Sequence, residues 1–421
     1  MAYIVNMVRR HIAPALLAAL ADNPVVFLSG ARQTGKSTLV KHLASSEHPS
    51  RYLTLDDAVV LSAARHDSTG FVAGLKGPVV LDEVQRAPEL FLAIKAEVDR
   101  SPQPGRFLLT GSADVLLLPQ VSEALAGRME ILTLWPFSQD EMAGTQANFL
   151  DALWAGLVRP FGGPAEDGPS LRARLLLGGY PPTLSRSTSE RRRAWFGSYI
   201  TTILQRDVRD LAHIEGLTAL PRLLSLLAAR SCSLLNFAEL SRTVAIPQST
   251  LKRYFTLLET TFLVQLLPAW SSNLGKRLVK SPKILLNDTG LSAYLLGLND
   301  ERLESDPALM GAVLENFVNM EVRKQMGWSQ THLQAFHFRV QTGQEVDLVL
   351  EDAAGDIVGI EVKASQTVTA RDFRGLRTLA EVTRRRFRGG VVLYTGSTSV
   401  PFAPNLHALP VSLLWSLPCP L

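Results

Sequence analysis

The chain has 421 residues, 46% of them hydrophobic and 19% charged. That balance suits folded domains with full cores and excludes a disordered or low-complexity chain. The net charge is only +4 and the pI is about 9.1, so composition permits nucleic-acid binding without requiring it.

At this length roughly two or three domains are expected. No run approaches the ~18–20 consecutive apolar residues of a membrane span, so no membrane association is expected. Cys232 and Cys419 are the two cysteines. Isolated thiols in a chain this long read as reduced residues of a cytoplasmic protein. Arg9-Arg10 ahead of the apolar stretch from His11 to Ala21 loosely mimics a signal peptide. A complete phosphate-loop motif follows soon after, so the stretch reads instead as an amphipathic helix beside the first strand.

From about residue 24 to 135, short apolar runs alternate with helical stretches. Val25–Leu28, Tyr52–Leu55, Val79–Leu81 and Phe107–Thr110 read as buried parallel strands, with helices over Lys36–Ala44 and Pro88–Arg100 between them. This is the pattern of a parallel sheet covered by helices on both faces.

Gly30-Ala31-Arg32-Gln33-Thr34-Gly35-Lys36-Ser37 fits G-x-x-x-x-G-K-[ST] at every fixed position, between a strand and a helix. Glycines let backbone N–H groups wrap phosphates, and the following helix adds its positive N-terminus. Lys36 is expected on the β- and γ-phosphates of ATP, Ser37 on Mg²⁺, and Thr38 just beyond on the nucleotide. Pro78-Val-Val-Leu-Asp82-Glu83 is an apolar strand ending in two carboxylates. Asp82 sits where a strand-end Asp holds the Mg²⁺ shell, and Glu83 where a base polarises the attacking water. Phe107–Thr110 leads into Gly111-Ser112, and either Thr110 or Ser112 stands where a hydroxyl senses the γ-phosphate.

Gly162–Pro169 is a loop or linker by composition, and the chain then turns mostly helical to about residue 260. Asn236 and Glu239 suggest a capping box on a short helix, and Ser249 suggests the cap of a second one after the turn Ala245–Gln248. Two helices joined by a short turn form a helix-turn-helix. Phe262–Leu267 and Lys283–Leu286 read as strands flanking a basic hairpin or wing. Lys252, Arg253, Lys276, Arg277, Lys280 and Lys283 are the expected phosphate contacts to DNA. The runs Arg191–Arg193 and Arg384–Arg388 read as solvated helix faces.

The last third returns to mixed strand and helix. Asp347, Glu361 and Lys363 form a D-x(13)-E-x-K pattern. Glu361 and Lys363, two apart on a strand, share a face. Asp347 on a neighbouring strand and Glu315 on the upstream helix complete a set of carboxylates suited to Mg²⁺ or Mn²⁺, with a lysine to orient water.

Together Gly30–Ser37, Leu81–Pro88, Leu109–Ser112, Leu125–Arg128, Leu177–Pro181, Gln205–Val208, Glu315–Val318, Gly343–Asp347 and Ile360–Ala364 resemble a prokaryotic group of AAA+ ATPases. Pro182 departs from the acidic residue frequent there in that group. The C-terminal pattern resembles the PD-(D/E)xK nuclease superfamily, whose members include binders that do not cut. These resemblances imply an α/β chain in four parts: a P-loop AAA+ core at 1–145, a helical lid and linker at 146–215, a winged-helix region at 216–300 and a restriction-endonuclease-like domain at 301–421. They also imply a homo-oligomeric, hexamer-like ring in which an arginine, Arg128 or Arg206, completes a neighbour's site. The leading functional expectation is an ATPase acting on DNA by remodelling, translocation or branch migration. An ATP-dependent nuclease of defence or repair and a nucleotide-gated scaffold for a protein partner are the alternatives.

Overall fold

A computed structural model describes residues 8–112, 125, 127–156, 166–207 and 219–417, without the side chains of 206 and 207. Part of the expected linker, 162–165, and Val208 lie outside the described residues. The chain divides into two compact units. One holds Arg9–Phe137 with Thr256–Leu263; the other holds Ser138–Phe255 and Val264–Leu421.

In the first unit the strands are β1 (Val25–Ser29), β2 (Arg51–Thr54), β3 (Val79–Asp82), β4 (Phe107–Gly111) and β5 (Met129–Thr133). They form a five-stranded sheet in the order β2-β3-β4-β1-β5, and every described pairing is parallel. Helices α1 (Ala13–Asp22), α2 (Lys36–Ser45), α3 (Ala58–His66), α4 (Ser68–Gly74) and α5 (Leu90–Arg100) alternate with them. Side-chain alternation explains why the strands read as unbroken apolar runs. Val25, Phe27, Val79, Leu81, Phe107 and Leu109 join Phe91, Ile94 and Val98 of α5 in one core. Val26, Leu28, Val80 and Leu108 join Leu16 and Leu20 of α1 and Leu39 and Leu43 of α2 in another. The apolar segment after Arg10 is thus a packed helix of this first unit.

The second unit begins with helices, among them α6 (Gly168–Leu177), α7 (Ser189–Thr202) and α8 (Leu220–Ala229). Next come α9 (Phe237–Val244) and α10 (Gln248–Thr260), joined through Ala245 in the left-handed region. Asn236 caps α9 by accepting from the backbone N–H groups of Ala238 and Glu239. Glu239 turns away to an ion pair with Arg230 at 2.7 Å. Ser249 lies inside α10 rather than capping it.

Strands β6 (Val264–Leu267) and β7 (Lys283–Leu286) form a two-stranded antiparallel sheet. The expected basic hairpin between them is instead a short helix, α11 (Leu274–Val279), capped by Asn273. After α12 (Thr289–Leu296) and the long α13 (Pro307–Met326) comes a six-stranded sheet, ordered β12-β13-β11-β10-β9-β8. Its strands are β8 (Leu333–Arg339), β9 (Glu345–Asp352), β10 (Ile357–Lys363), β11 (Phe387–Tyr394), β12 (Val400–Ala403) and β13 (Leu406–Pro410). Helix α14 (Arg374–Thr383) buries Leu376 and Leu379 in the core with Val346, Val349 and Val392. No described helix is long and apolar enough to cross a membrane.

Gly375 lets α14 sit directly on β9, since a Cβ there would lie 1.8 Å from the Glu345 carbonyl oxygen. Backbone cannot yield as a side chain can, so Gly375→Ala is expected to destabilise the second unit by about 1–3 kcal/mol or more. Urea unfolding of the full chain checks this; an unchanged midpoint would contradict the close helix–strand approach.

Candidate functional site

The parallel sheet carries the ends of β1, β3 and β4 to one edge, and these three strands lead into the phosphate loop, Glu83 and Ser112. Gly30 opens the loop at φ +147°, and a Cβ there would lie 2.2 Å from the Leu134 carbonyl oxygen. Only glycine allows that backbone to pass so close to the end of β5. Gly35, also at positive φ, hands the chain into α2, whose first residues are Lys36 and Ser37. The buried Lys36 ammonium donates to the carbonyls of Gly30 and Ala31 at 2.7 and 2.8 Å. Ala31 and Thr34 are buried, whereas Gln33 and Thr38 are exposed; Arg32 and Ser37 are intermediate.

Next to the loop, Asp82 is almost fully buried at the end of β3. Its Oδ2 accepts from the Tyr52 hydroxyl at 2.5 Å and its Oδ1 from the Thr110 hydroxyl. Burial, then the hydrogen bond and charge of Asp82, push the Tyr52 phenol well above its ordinary pKa, so it remains a donor. The Glu83 N–H donates to Thr110 Oγ1 at 3.2 Å. Gln85 Nε2 donates to Glu83 Oε2 and, at 3.0 Å, to Ser112 Oγ. Glu83 is a non-glycine residue in the left-handed region, at φ +61°, a strained position that functional sites often hold. Thr110 therefore bridges the two carboxylate residues, and Ser112 reaches Glu83 both through Gln85 and directly, its hydroxyl donating to Glu83 Oε2 at 3.5 Å.

Three supports went unrecognised in the sequence. Arg10 donates to the Thr34 and Trp135 carbonyls, both at 2.7 Å, and stacks 4.6 Å from the Phe137 ring centroid. It ties the phosphate loop to the chain beyond β5; its only signal was a basic pair before an apolar helix. Tyr52 lies in a segment read only as a strand, and Gln85 in the Leu81–Pro88 motif without a role of its own.

The donor set suits a Mg²⁺-bound nucleoside triphosphate. A glycine-formed cradle at a helix N-terminus is suited to phosphates, with a lysine at its base and a buried strand-end carboxylate beside it. Arg128 lies at the opposite edge of the sheet, just before β5, and pairs with Asp99. Val25 aligns with Met129 and Ser29 with Thr133, so Arg128 sits beside the start of β1 while the phosphate loop follows its end. At ~3.3 Å per residue that separation exceeds ~13 Å. Arg206 lies in a π-helical turn, Ile203–Asp207, and its side chain is outside the described residues.

The second unit brings Glu315, Asp347, Glu361 and Lys363 together, but adds a residue that the sequence analysis placed elsewhere. Lys283 is not an exposed wing residue. It starts β7, is 4% exposed, and its ammonium contacts Glu315 Oε1 at 2.6 Å and Asp347 Oδ1 at 3.3 Å. Asp347 Oδ2 accepts from the Val362 N–H at 2.9 Å, and Lys363 pairs with Glu361 at 2.8 Å. Burial, then the charge of Asp347, raises the carboxyls of Glu315 and Glu361 to about 8. Burial alone would lower the Lys283 ammonium, but Asp347 and Glu315 override it and hold it above its ordinary value.

The carboxylates expected to hold Mg²⁺ come together, with two lysines paired among them. Among the described residues no group of three His, Cys, Asp or Glu is arranged to hold a metal ion. A buried ammonium lies between Glu315 and Asp347, where the sequence analysis expected a divalent ion, and Lys363 pairs with Glu361.

Arg277 is likewise not available to phosphates. It makes a bidentate pair with Glu351, at 2.5 and 3.0 Å, and lies over Trp270 and Phe336. Lys276 and Lys280 are exposed on and beside α11, and Lys252 and Arg253 on α10; the Lys252 ammonium lies 5.8 Å from the Phe237 ring centroid. Cys232 is buried and free, and burial raises its thiol; Cys419 lies outside the described residues.

If the cradle binds phosphates as its geometry suggests, Gly30→Ala weakens ATP binding by at least about tenfold, because the methyl group displaces the loop from Leu134. Titration with a fluorescent ATP analogue measures this; wild-type affinity in that variant would contradict the loop's role.

Residues 22–143 match the family described as an AAA domain, residues 168–302 a domain of unknown function (DUF8612), and residues 310–414 another (DUF4143). Two curated relatives, uncharacterized protein Mb2031c of Mycobacterium bovis and uncharacterized protein Rv2008c of Mycobacterium tuberculosis, are each 33% identical over 405 residues, covering 96% of this chain and 83% of theirs. Among solved structures, the Walker-type ATPase PABY2304 of Pyrococcus abyssi aligns with a TM-score of 0.41 at 15% identity, over 68% of this chain and 95% of that one. The RuvB Holliday junction branch migration motor of Thermotoga maritima aligns with a TM-score of 0.28 at 18% identity, over 60% and 86%. The chain belongs to the family of these two mycobacterial proteins, and its residues 22–143 are an AAA-type P-loop ATPase domain.

Proposed function

We propose that this protein hydrolyses ATP and couples the reaction to work on DNA. The observation carrying the hydrolytic part is the hydrogen-bonded set Asp82–Thr110–Glu83 beside the phosphate loop. Lys36 leaves its own loop carbonyls to neutralise β- and γ-phosphate oxygens, and backbone N–H groups from Gly30 to Ser37 cradle them. Ser37 and Asp82 would hold Mg²⁺, which supplies further charge neutralisation there when bound. Glu83, positioned by Gln85, accepts a proton from the water that attacks the γ-phosphorus. The bond from that phosphorus to the β,γ-bridging oxygen breaks, releasing ADP and phosphate. Tyr52 and Thr110 keep Asp82 oriented through both of its oxygens.

Arg128 lies too far from the phosphate loop of its own chain to stabilise charge there. A role at a nucleotide therefore requires a neighbouring copy, consistent with a homo-oligomeric ring. Lys252 and Arg253, exposed on the second helix of a helix–turn–helix, and the exposed Lys276 and Lys280 support the DNA reading. The engagement of Arg277 and Lys283 inside the fold favours a second reading, a nucleotide-gated switch that binds a protein.

Steady-state ATPase rates with and without single-stranded, duplex and branched DNA discriminate between them, with Lys36→Ala as the blank. Stimulation by one DNA form is expected; a Lys36-dependent rate indifferent to every DNA form would displace the DNA reading in favour of the switch. Glu83→Gln is expected to lower kcat by about 10²–10⁴ while leaving ATP binding near wild type, as loss of a general base does.

A further inference from the structure

The nuclease-like centre combines donors suited to a divalent ion with an arrangement that leaves one little room. Glu315, Asp347 and Glu361 are present, and Glu361 Oε2 is buried without a hydrogen-bond partner. Yet Lys283 bridges Glu315 and Asp347, and the other Asp347 oxygen is taken by the Val362 N–H. The lysine comes from β7, outside the D-x(13)-E-x-K pattern, and its side chain is 5% exposed. An ammonium here does part of what a divalent ion would do: it places positive charge between two carboxylates in a poorly solvated site. Unlike a divalent ion, it activates no bound water and offers no open coordination position.

We propose that Lys283 is a built-in cation that takes the place of a divalent metal. With it in place the centre takes up neither Mg²⁺ nor Mn²⁺, and its carboxylates serve the fold rather than phosphodiester cleavage. Removing the ammonium unmasks a divalent-cation site built on Glu315 and Asp347. The inference is independent of the ATPase reading, because it concerns another unit and needs no nucleotide.

Mn²⁺ binding to the full chain, followed by electron paramagnetic resonance without nucleotide, tests it. Wild type and Asp347→Asn should titrate alike, since neither holds Mn²⁺ at this centre. Lys283→Met should gain one Mn²⁺ site at least about tenfold tighter than any in wild type, the effect of losing one opposing charge at close range. The double variant Lys283→Met with Asp347→Asn should lose that site. A wild-type Mn²⁺ site absent from Asp347→Asn would overturn the proposal, as would a folded Lys283→Met that gains none. Should Lys283→Met fail to fold, the comparison of wild type with Asp347→Asn decides alone: identical titrations support the built-in cation, and a difference refutes it.

Discussion

Parallel pairing of β1 with β4, and of β4 with β3, is the constraint on which the ATPase site depends. In a parallel sheet all strands finish at one edge, so the residues that follow them meet without any one strand supplying the whole site. The ladder places Asp82 at the end of β3 next to Thr110 of β4, with the phosphate loop leaving β1 on the far side of β4. Hydrogen bonds of Asp82 with Tyr52 and Thr110 then fix a buried carboxylate in one orientation. An unsatisfied carboxylate in that position would be costly, so sheet register and polar satisfaction support each other.

The same pairing separates tasks along the sheet. Residues at strand starts, such as Arg128, lie far from the phosphate loop of their own chain, whereas the residues after β1, β3 and β4 lie at its edge of the sheet. Arg10 adds a tether that runs across the sheet rather than along it, binding the phosphate loop to the segment after β5. The loop is thus gripped at Gly30 by close backbone approach and at Thr34 by a guanidinium.

The second unit handles buried charge differently. Three carboxylates, from Glu315, Asp347 and Glu361, face the ammonium groups of Lys283 and Lys363. One carboxyl that keeps its proton brings such a set to neutrality, which agrees with the raised carboxyls of Glu315 and Glu361. Taking an ammonium out of such a buried set leaves carboxylate charge uncompensated, whereas loss of one carboxylate leaves two against two ammoniums. The lysine that completes the set is contributed by a small sheet remote in sequence, which ties β7 to α13 and β9.

Local pattern determined much of this protein. Apolar runs of strand length with helices between them, and glycines at fixed spacing before Lys36-Ser37, encode the parallel sheet and its phosphate loop, because both arise from short-range periodicity and backbone geometry. The strands bearing Asp347 and Glu361 were legible for the same reason. Tertiary structure alone decided where isolated polar side chains point. Lys276, Arg277, Lys280 and Lys283 form one basic run in the sequence, yet two stay exposed while Arg277 pairs with Glu351 and Lys283 enters the carboxylate cluster. Tyr52, Gln85 and Arg10 likewise acquired their roles from partners distant or unremarkable in sequence. A charge run records only that charges are close along the chain; which of them is buried depends on pairings between distant segments, and these exist only once the sheets have formed.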